Sequence, residues 1–190
     1  MFGTSAHIVQ WREKDWTAQE NQPWVRLGVQ LADRTGKLFI VNSNLRLALQ
    51  EGAHGAHLTS SQDLAQARLL RQSLSRDDMP FLLGKSVHGV SEAVEAESQG
   101  ADYIFLGPIF DPLSKQALRE PLGLASLREA TQMLLTPVFA LGGLDPARLP
   151  DLQKTNAIGY AGIGWAIREI KEKESGDRNQ ESGRRELGGE

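Results

Sequence analysis

The chain has 190 residues, 40% of them hydrophobic and 24% charged, with a formal net charge of −3 and no cysteine. That length suits one domain with a sizeable core, while the missing cysteines exclude disulfides and thiolate metal sites and the lack of a basic stripe gives nucleic acid no footprint. No apolar run approaches the about 20 residues of a membrane span, and the first residues lack the cationic and apolar segments of a signal peptide, so a cytoplasmic protein with no membrane partner is expected.

Short apolar runs recur at 7–10, 38–41, 55–58, 81–84, 103–106, 138–141 and 158–161, at intervals of roughly 17 to 35 residues, the length of a βα unit. Most are too short for helices and read as strands buried on both faces. The first leads into Gln10-Trp11-Arg12-Glu13-Lys14-Asp15. Strand alternation puts Gln10, Arg12 and Lys14 on one side, an amide and two cations suited to phosphate oxygens. A solvated charged turn is the plainer reading of the same residues.

The second run ends in Asn42-Ser43-Asn44, residues that suit a helix cap. The third is followed by Thr59-Ser60-Ser61-Gln62-Asp63, which again looks like a helix start. Asp63 is a candidate Mg2+ ligand, although one carboxylate is a thin donor set. Leu64, Ala67 and Leu70 then space out an amphipathic helix. The fourth run leads into Gly84-Lys85-Ser86-Val87-His88, where Ser86 and His88 are candidate ligand contacts and a lone His is more often structural. Ser91 reads as an N-cap with acids in the first turn, and Gly100 as a C-cap.

The fifth run carries the most specific pattern. Gly107-Pro108-Ile109-Phe110-Asp111-Pro112-Leu113-Ser114-Lys115 leads through a polar stretch to Pro121-Leu122-Gly123-Leu124. A loop that long inside a βα unit is usually functional, often a lid, and Lys115 is its charged tip. The sixth run ends in Gly142-Gly143, where paired glycines let backbone N–H groups approach a phosphate, at a place where barrels commonly hold one. Asp145-Pro146 reads as an N-cap and a first-turn proline. The last run ends in Gly162-Ile163-Gly164-Trp165. Residues 171–190 are nearly all charged, polar or Gly and read as a disordered tail.

Strand and helix alternating about seven times predicts an α/β fold with a parallel sheet. A TIM-type (β/α) barrel over residues 1–170 is favoured over an open doubly wound sheet, because polar motifs follow many strands and do not cluster at one switch point.

Taken together, these motifs resemble the thiamine phosphate synthase/TenI family. The matching pieces are Gln10-Trp-Arg-Glu-Lys-Asp15, Leu38-Phe-Ile-Val-Asn42, Gly55-Ala-His-Leu58, Gly84-Lys-Ser-Val-His88, Ala101-Asp-Tyr103, Gly107-Pro-Ile-Phe110, Pro121-Leu-Gly-Leu124 and Leu141-Gly-Gly-Leu144. The resemblance implies a transferase of thiamine biosynthesis that joins a hydroxymethylpyrimidine diphosphate to a thiazole phosphate and releases pyrophosphate, with Mg2+ as cofactor. It implies that Gln10, Arg12 and Lys14 bind the diphosphate and pyrimidine, that Asn42, Ser86 and Lys115 contact the same substrate, and that Gly142 and Gly143 hold the thiazole phosphate. Ser114 keeps one of the hydroxyls of the family's loop.

The departures from the family pattern are specific. Ser43 stands where the synthase pattern has a Mg2+-binding Asp, and matching Asp63 to the second acid needs a one-residue gap. Gly164-Trp165 replaces a phosphate-binding Val-Ser. Pro108 occupies the position of the catalytic His of the TenI thiazole tautomerase. Two further readings therefore stay open: a non-catalytic relative that binds a thiazole or phosphate ligand, and a tautomerase that uses His88. The family also begins with one more βα unit than the residues before Gln10 supply. A seven-strand barrel lacking its first unit is expected, as a fragment or a misassigned start, with a homo-oligomer one way to cover the open edges.

Overall fold

The computed structural model describes residues 6–74, 80–111 and 119–162. The elements in chain order are β1 (Ile8–Trp11), α1 (Ala18–Thr35), β2 (Leu38–Asn42), α2 (Leu45–Gln50), β3 (Gly55–Leu58), α3 (Leu64–Leu74), β4 (Leu82–Val87), α4 (Val90–Ser98), β5 (Tyr103–Leu106), α5 (Gly123–Met133), β6 (Val138–Leu141), α6 (Leu149–Leu152) and β7 (Gly159–Ala161), with short 3-10 turns on either side of α6. All adjacent strands are parallel, and their order in the sheet is their order in the chain. The result is a curled half-barrel with β1 and β7 as its edges. Each of the seven apolar runs forms a strand. The tail at 171–190 lies outside the described residues.

Alternation along the strands separates two faces. Phe39, Val41, Ala56, Leu58, Leu83, Ile104 and Leu106 join Val25, Leu64, Ala67, Ala93 and Leu127 from the helices in one core. The Phe39 ring fills the space beside Gly28 of α1, where a Cβ would overlap it. The alternate strand positions form the inner face of the half-barrel. The register lines up Asn42, His57, Gly84 and Tyr103 in one row across β2 to β5. Ser86, Phe105, Phe139 and Gly159 form the next row, nearer the C-terminal ends of the strands. Gly84 is a packing requirement, because a Cβ there would overlap the Tyr103 ring.

Local signals set most boundaries. Thr17 and Glu20 close a capping box on α1, satisfying two of its orphan backbone donors. Gly100 comes after α4 at φ +84, with Ala101 N–H bonded to Ala96 O at 2.9 Å and Gly100 N–H to Glu97 O at 2.8 Å. That pair of bonds is a Schellman motif, as the sequence suggested. Ser91, by contrast, is not a cap. Helix α4 already starts at Val90 with Gly89 as its N-cap, its first bond running from Ala93 N–H to Gly89 O at 3.1 Å, and the Glu92 carboxylate accepts His88 N–H just before it at 2.8 Å. Asp145 does accept from Ala147 N–H at 2.8 Å, but the segment it caps is a 3-10 turn over Pro146–Arg148.

A further difference concerns the start of the sheet. β1 stops at Trp11, so Arg12 and Lys14 do not continue its alternation. Asn21 is the reason. Its Oδ1 accepts the Trp11 indole N–H at 2.7 Å, and its Nδ2 donates to the carbonyls of Trp16 and Thr17 at 3.1 and 3.0 Å. This buried amide pulls the chain out of the strand and into α1.

Candidate active site

Seven parallel strands bring all their C-terminal ends to one end of the sheet, which in β/α barrels is the end that carries chemistry. Gln10, Asn42 and Ser86 stand on its inner face. Gln10 pairs with Ile40 across the β1–β2 ladder, and its buried Nε2 has no hydrogen-bond partner among the described residues. A buried donor left unmade is costly, so this amide is either a strain in the fold or a ligand contact. Asn42 accepts the Ser43 hydroxyl on Oδ1 at 2.8 Å, which turns its amide nitrogen the opposite way. Ser43 sits at φ 65, a left-handed conformation uncommon for a residue with a side chain. It is held there by its N–H on His57 O at 2.8 Å and by Gln62 Nε2 on its own carbonyl at 2.8 Å.

Ser86 Oγ lies 2.8 Å from His57 Nε2, and His57 Nδ1 lies 3.1 Å from Tyr103 Oη. His57 is 1% exposed and packs 4.4 Å from the Phe105 ring centroid. Burial, aided by the charge of Lys85, pushes its pKa down to about 3, so the imidazole is neutral. Neither His57 nor Tyr103 emerged from the sequence as a site residue. The available signal was a single polar residue inside a strand, β3, whose every position is buried.

His88 comes just after β4. Its Nδ1 is 2.6 Å from Gly107 O. A carbonyl only accepts, so Nδ1 carries a proton, and in a neutral ring Nε2 is the nitrogen with the lone pair. Arg12 and Lys14 are exposed in the loop between β1 and α1, and among the described residues neither forms an ion pair. Asp63 spends Oδ1 on Gln66 N–H at 3.0 Å, capping α3. The neighbouring turn is pinned by Lys85, whose ammonium donates to the carbonyls of Ser60 and Gln62. Among the described residues no three His, Cys, Asp or Glu side chains gather in a way that would hold a metal.

Gly142 and Gly143 sit at φ 92 and 63. Packing requires them: a Cβ on Gly142 would press on Pro108 at 2.8 Å, and one on Gly143 would overlap the carbonyls of Phe110 and Asp111. The close approach is sealed by Ile109 N–H on Leu141 O at 2.8 Å and Phe110 N–H on Gly142 O at 3.2 Å. The chain returns to the same neck before α5, with Leu122 N–H on Pro108 O at 2.8 Å and Gly123 N–H on Ile109 O at 3.0 Å. Ser114 and Lys115 lie outside the described residues, as does Trp165. The neck itself stands beside the inner mouth between β5 and β6.

No helix among the described residues is long and apolar enough to cross a membrane. The family model described as thiamine monophosphate synthase matches residues 2–165. A thiamine-phosphate synthase of Chloroflexus aurantiacus is 35% identical over 165 residues, covering 85% of this chain and 72% of the relative. One of Caldicellulosiruptor saccharolyticus is 32% identical over 157 residues, covering 83% and 69%. Among solved structures, a thiamine phosphate pyrophosphorylase of Pyrococcus furiosus superposes with a TM-score of 0.73 at 28% identity, covering 84% of this chain and 73% of that one. On this agreement of family model, relatives and fold, the chain belongs to the thiamine monophosphate synthase family.

Proposed function

We propose that the protein joins a hydroxymethylpyrimidine diphosphate to a thiazole phosphate. The bond between the pyrimidine methylene carbon and the diphosphate oxygen breaks, pyrophosphate leaves with the electron pair, and the thiazole nitrogen bonds to the methylene carbon. The observation that carries this reading is the inner-face group at the strand ends: Gln10 with a buried amide lacking a partner, Asn42 with its amide nitrogen turned away from Ser43, and Ser86. These are neutral polar groups suited to orienting the pyrimidine and the bridging oxygen. Arg12 and Lys14, with Lys115 on the loop, supply positive charge for the departing pyrophosphate, which is the main stabilisation such a charge-separating step needs.

Mg2+ fits this site as part of the substrate. The described residues do not build a resident metal centre, and Asp63 has one oxygen committed to the α3 cap. Mg2+ is commonly held by one or two carboxylates plus substrate phosphates, so in this reading the diphosphate brings it and the second oxygen of Asp63 is the carboxylate oxygen that the family resemblance offers. Incubation with both substrates and Mg2+ should yield thiamine phosphate. A folded protein that forms none would end the synthase reading. Calorimetry should show Mg2+ uptake only in the presence of the diphosphate.

The edge strands β1 and β7 also support self-association with a second copy, which sedimentation velocity would read as a dimer. One observation favours a second activity. The bond to Gly107 O holds a proton on His88 Nδ1, so in a neutral ring Nε2 is the atom that would take a proton. If the protein is a thiazole tautomerase, proton exchange on the thiazole carboxylate falls in His88→Ala. Unchanged exchange excludes His88 as the base.

A further inference from the structure

Three side chains on the inner face form a chain of hydrogen bonds whose polarity can be worked out. Tyr103 is 4% exposed, and its phenol is pushed up by burial and by Asp102, so it keeps its proton. Its hydroxyl meets His57 Nδ1 at 3.1 Å. His57 is neutral and carries one proton on one of its two nitrogens. If that proton sat on Nδ1, the Tyr103 oxygen would accept it and the Tyr103 O–H would be left buried without an acceptor. With the proton on Nε2, every group is matched. Tyr103 O–H donates to Nδ1, and Nε2–H donates to Ser86 Oγ at 2.8 Å.

Ser86 then has one lone pair occupied by the imidazole, and its own proton is directed elsewhere than at His57. The arrangement depends on Gly84, which stands between His57 and Tyr103 in the same row and lets the phenol ring cross β4 to reach the imidazole. The rings of Phe105 and Phe139 close the assembly off.

We infer that His57 and Tyr103 are positioning residues that turn the Ser86 hydroxyl proton away from the imidazole, so that Ser86 is free to donate to an acceptor on the substrate, such as a diphosphate oxygen or a ring nitrogen. This rests on the reading of Ser86 as a substrate contact. The tautomer of His57 does not, and the two parts are tested separately.

Nitrogen NMR of histidine-labelled protein reads the tautomer without any substrate. The expected result is a bare Nδ1 and a protonated Nε2 on His57 in the wild type, with the alternative tautomer becoming populated in Tyr103→Phe. A wild-type His57 protonated on Nδ1 would overturn the inference. The functional half is a double-mutant cycle of Tyr103→Phe and Ser86→Ala, read as kcat/KM for the diphosphate substrate, or as calorimetric affinity for pyrophosphate if turnover is absent. Tyr103→Phe should weaken the reading roughly tenfold, the worth of one good hydrogen bond, with no further loss when Ser86 is already Ala. His57→Gln, which retains a side-chain N–H, should rescue more than His57→Leu. Equal losses from Tyr103→Phe in both backgrounds would make Tyr103 merely structural and sink the positioning role. Unfolding curves of each variant confirm that a folded protein is being compared.

Discussion

Gln10 holds a conflict that a stable fold alone does not explain. Its Nε2 is buried and lacks a partner among the described residues, and such a group costs about 1–3 kcal/mol against a packed apolar replacement. Gln10→Met, close in shape and without the amide, should therefore raise stability by about 1 kcal/mol in urea unfolding. The same change should raise KM for the diphosphate substrate. A variant that loses stability would mean that the amide serves the fold and not a ligand. His57 gives a second residue-scale expectation. Its pKa falls from 6.5 to about 3 on folding, so between those values the unfolded chain binds a proton that the folded one does not. Stability should fall as pH drops below 6.5, by up to about 1.4 kcal/mol per unit from this group, and be unaffected by it above. Urea midpoints between pH 7 and 4 should be flatter in His57→Gln. Strand alternation offered Gln10 and the family resemblance offered Asn42 and Ser86, and the register puts all three on the inner face. His57 was not legible, because its role comes from Tyr103 two strands away, a contact set by register.

At the scale of elements, the repeated apolar runs were enough to place every strand, since a buried parallel strand needs little beyond a short apolar stretch with polar ends. Boundaries were harder where a tertiary contact decides them. The sequence favoured Ser91 as a cap, but Ala93 N–H already bonds to Gly89 O, so the helix starts ahead of Ser91. It extended β1 to Lys14, but Asn21 bends the chain after Trp11. The same Asn21 holds the loop that carries Arg12 and Lys14, which makes two variants informative together. Asn21→Leu leaves the Trp11 indole N–H and the Trp16 carbonyl without their partner, while Thr17 O keeps the backbone N–H of residue 21, and should cost about 1–3 kcal/mol, with a raised KM for the diphosphate because the cationic loop loses its anchor. Thr17→Ala removes the capping box on the same helix and should cost about 1 kcal/mol with little kinetic effect. Urea unfolding and steady-state kinetics on both variants separate the anchor from the cap. Equal kinetic effects would show that the loop responds to helix stability in general.

At the scale of the whole molecule, the half-barrel is built unevenly. Every residue of β3 and β5 is buried, and both strands lie between neighbours on either side. β7 has three residues, none of them buried, with Tyr160 in it at 43% exposure and Ile158 just before it at 64%. Amides in such a sheet open in steps, with least-buried segments exchanging first and core strands only on global unfolding. Hydrogen exchange should therefore protect β3, β4 and β5 to the global limit, with protection falling toward β1 on one side and β7 on the other. The fall should be steeper toward β7, because β1 is backed by the 18-residue helix α1 while β7 comes after the short turns around α6. The proposed site bridges this gradient, with Gln10 on an edge strand, Ser86 at the centre and the Gly142–Gly143 turn beside the other edge. A substrate that contacts all three would couple the edges to the core, so adding the diphosphate and thiazole phosphate together should slow exchange in β1 and β6 more than in β4. Uniform protection across the seven strands in the free protein would contradict the gradient. Slowing confined to β4 would mean that the ligand meets the central strand alone and that the edge residues take no part in binding.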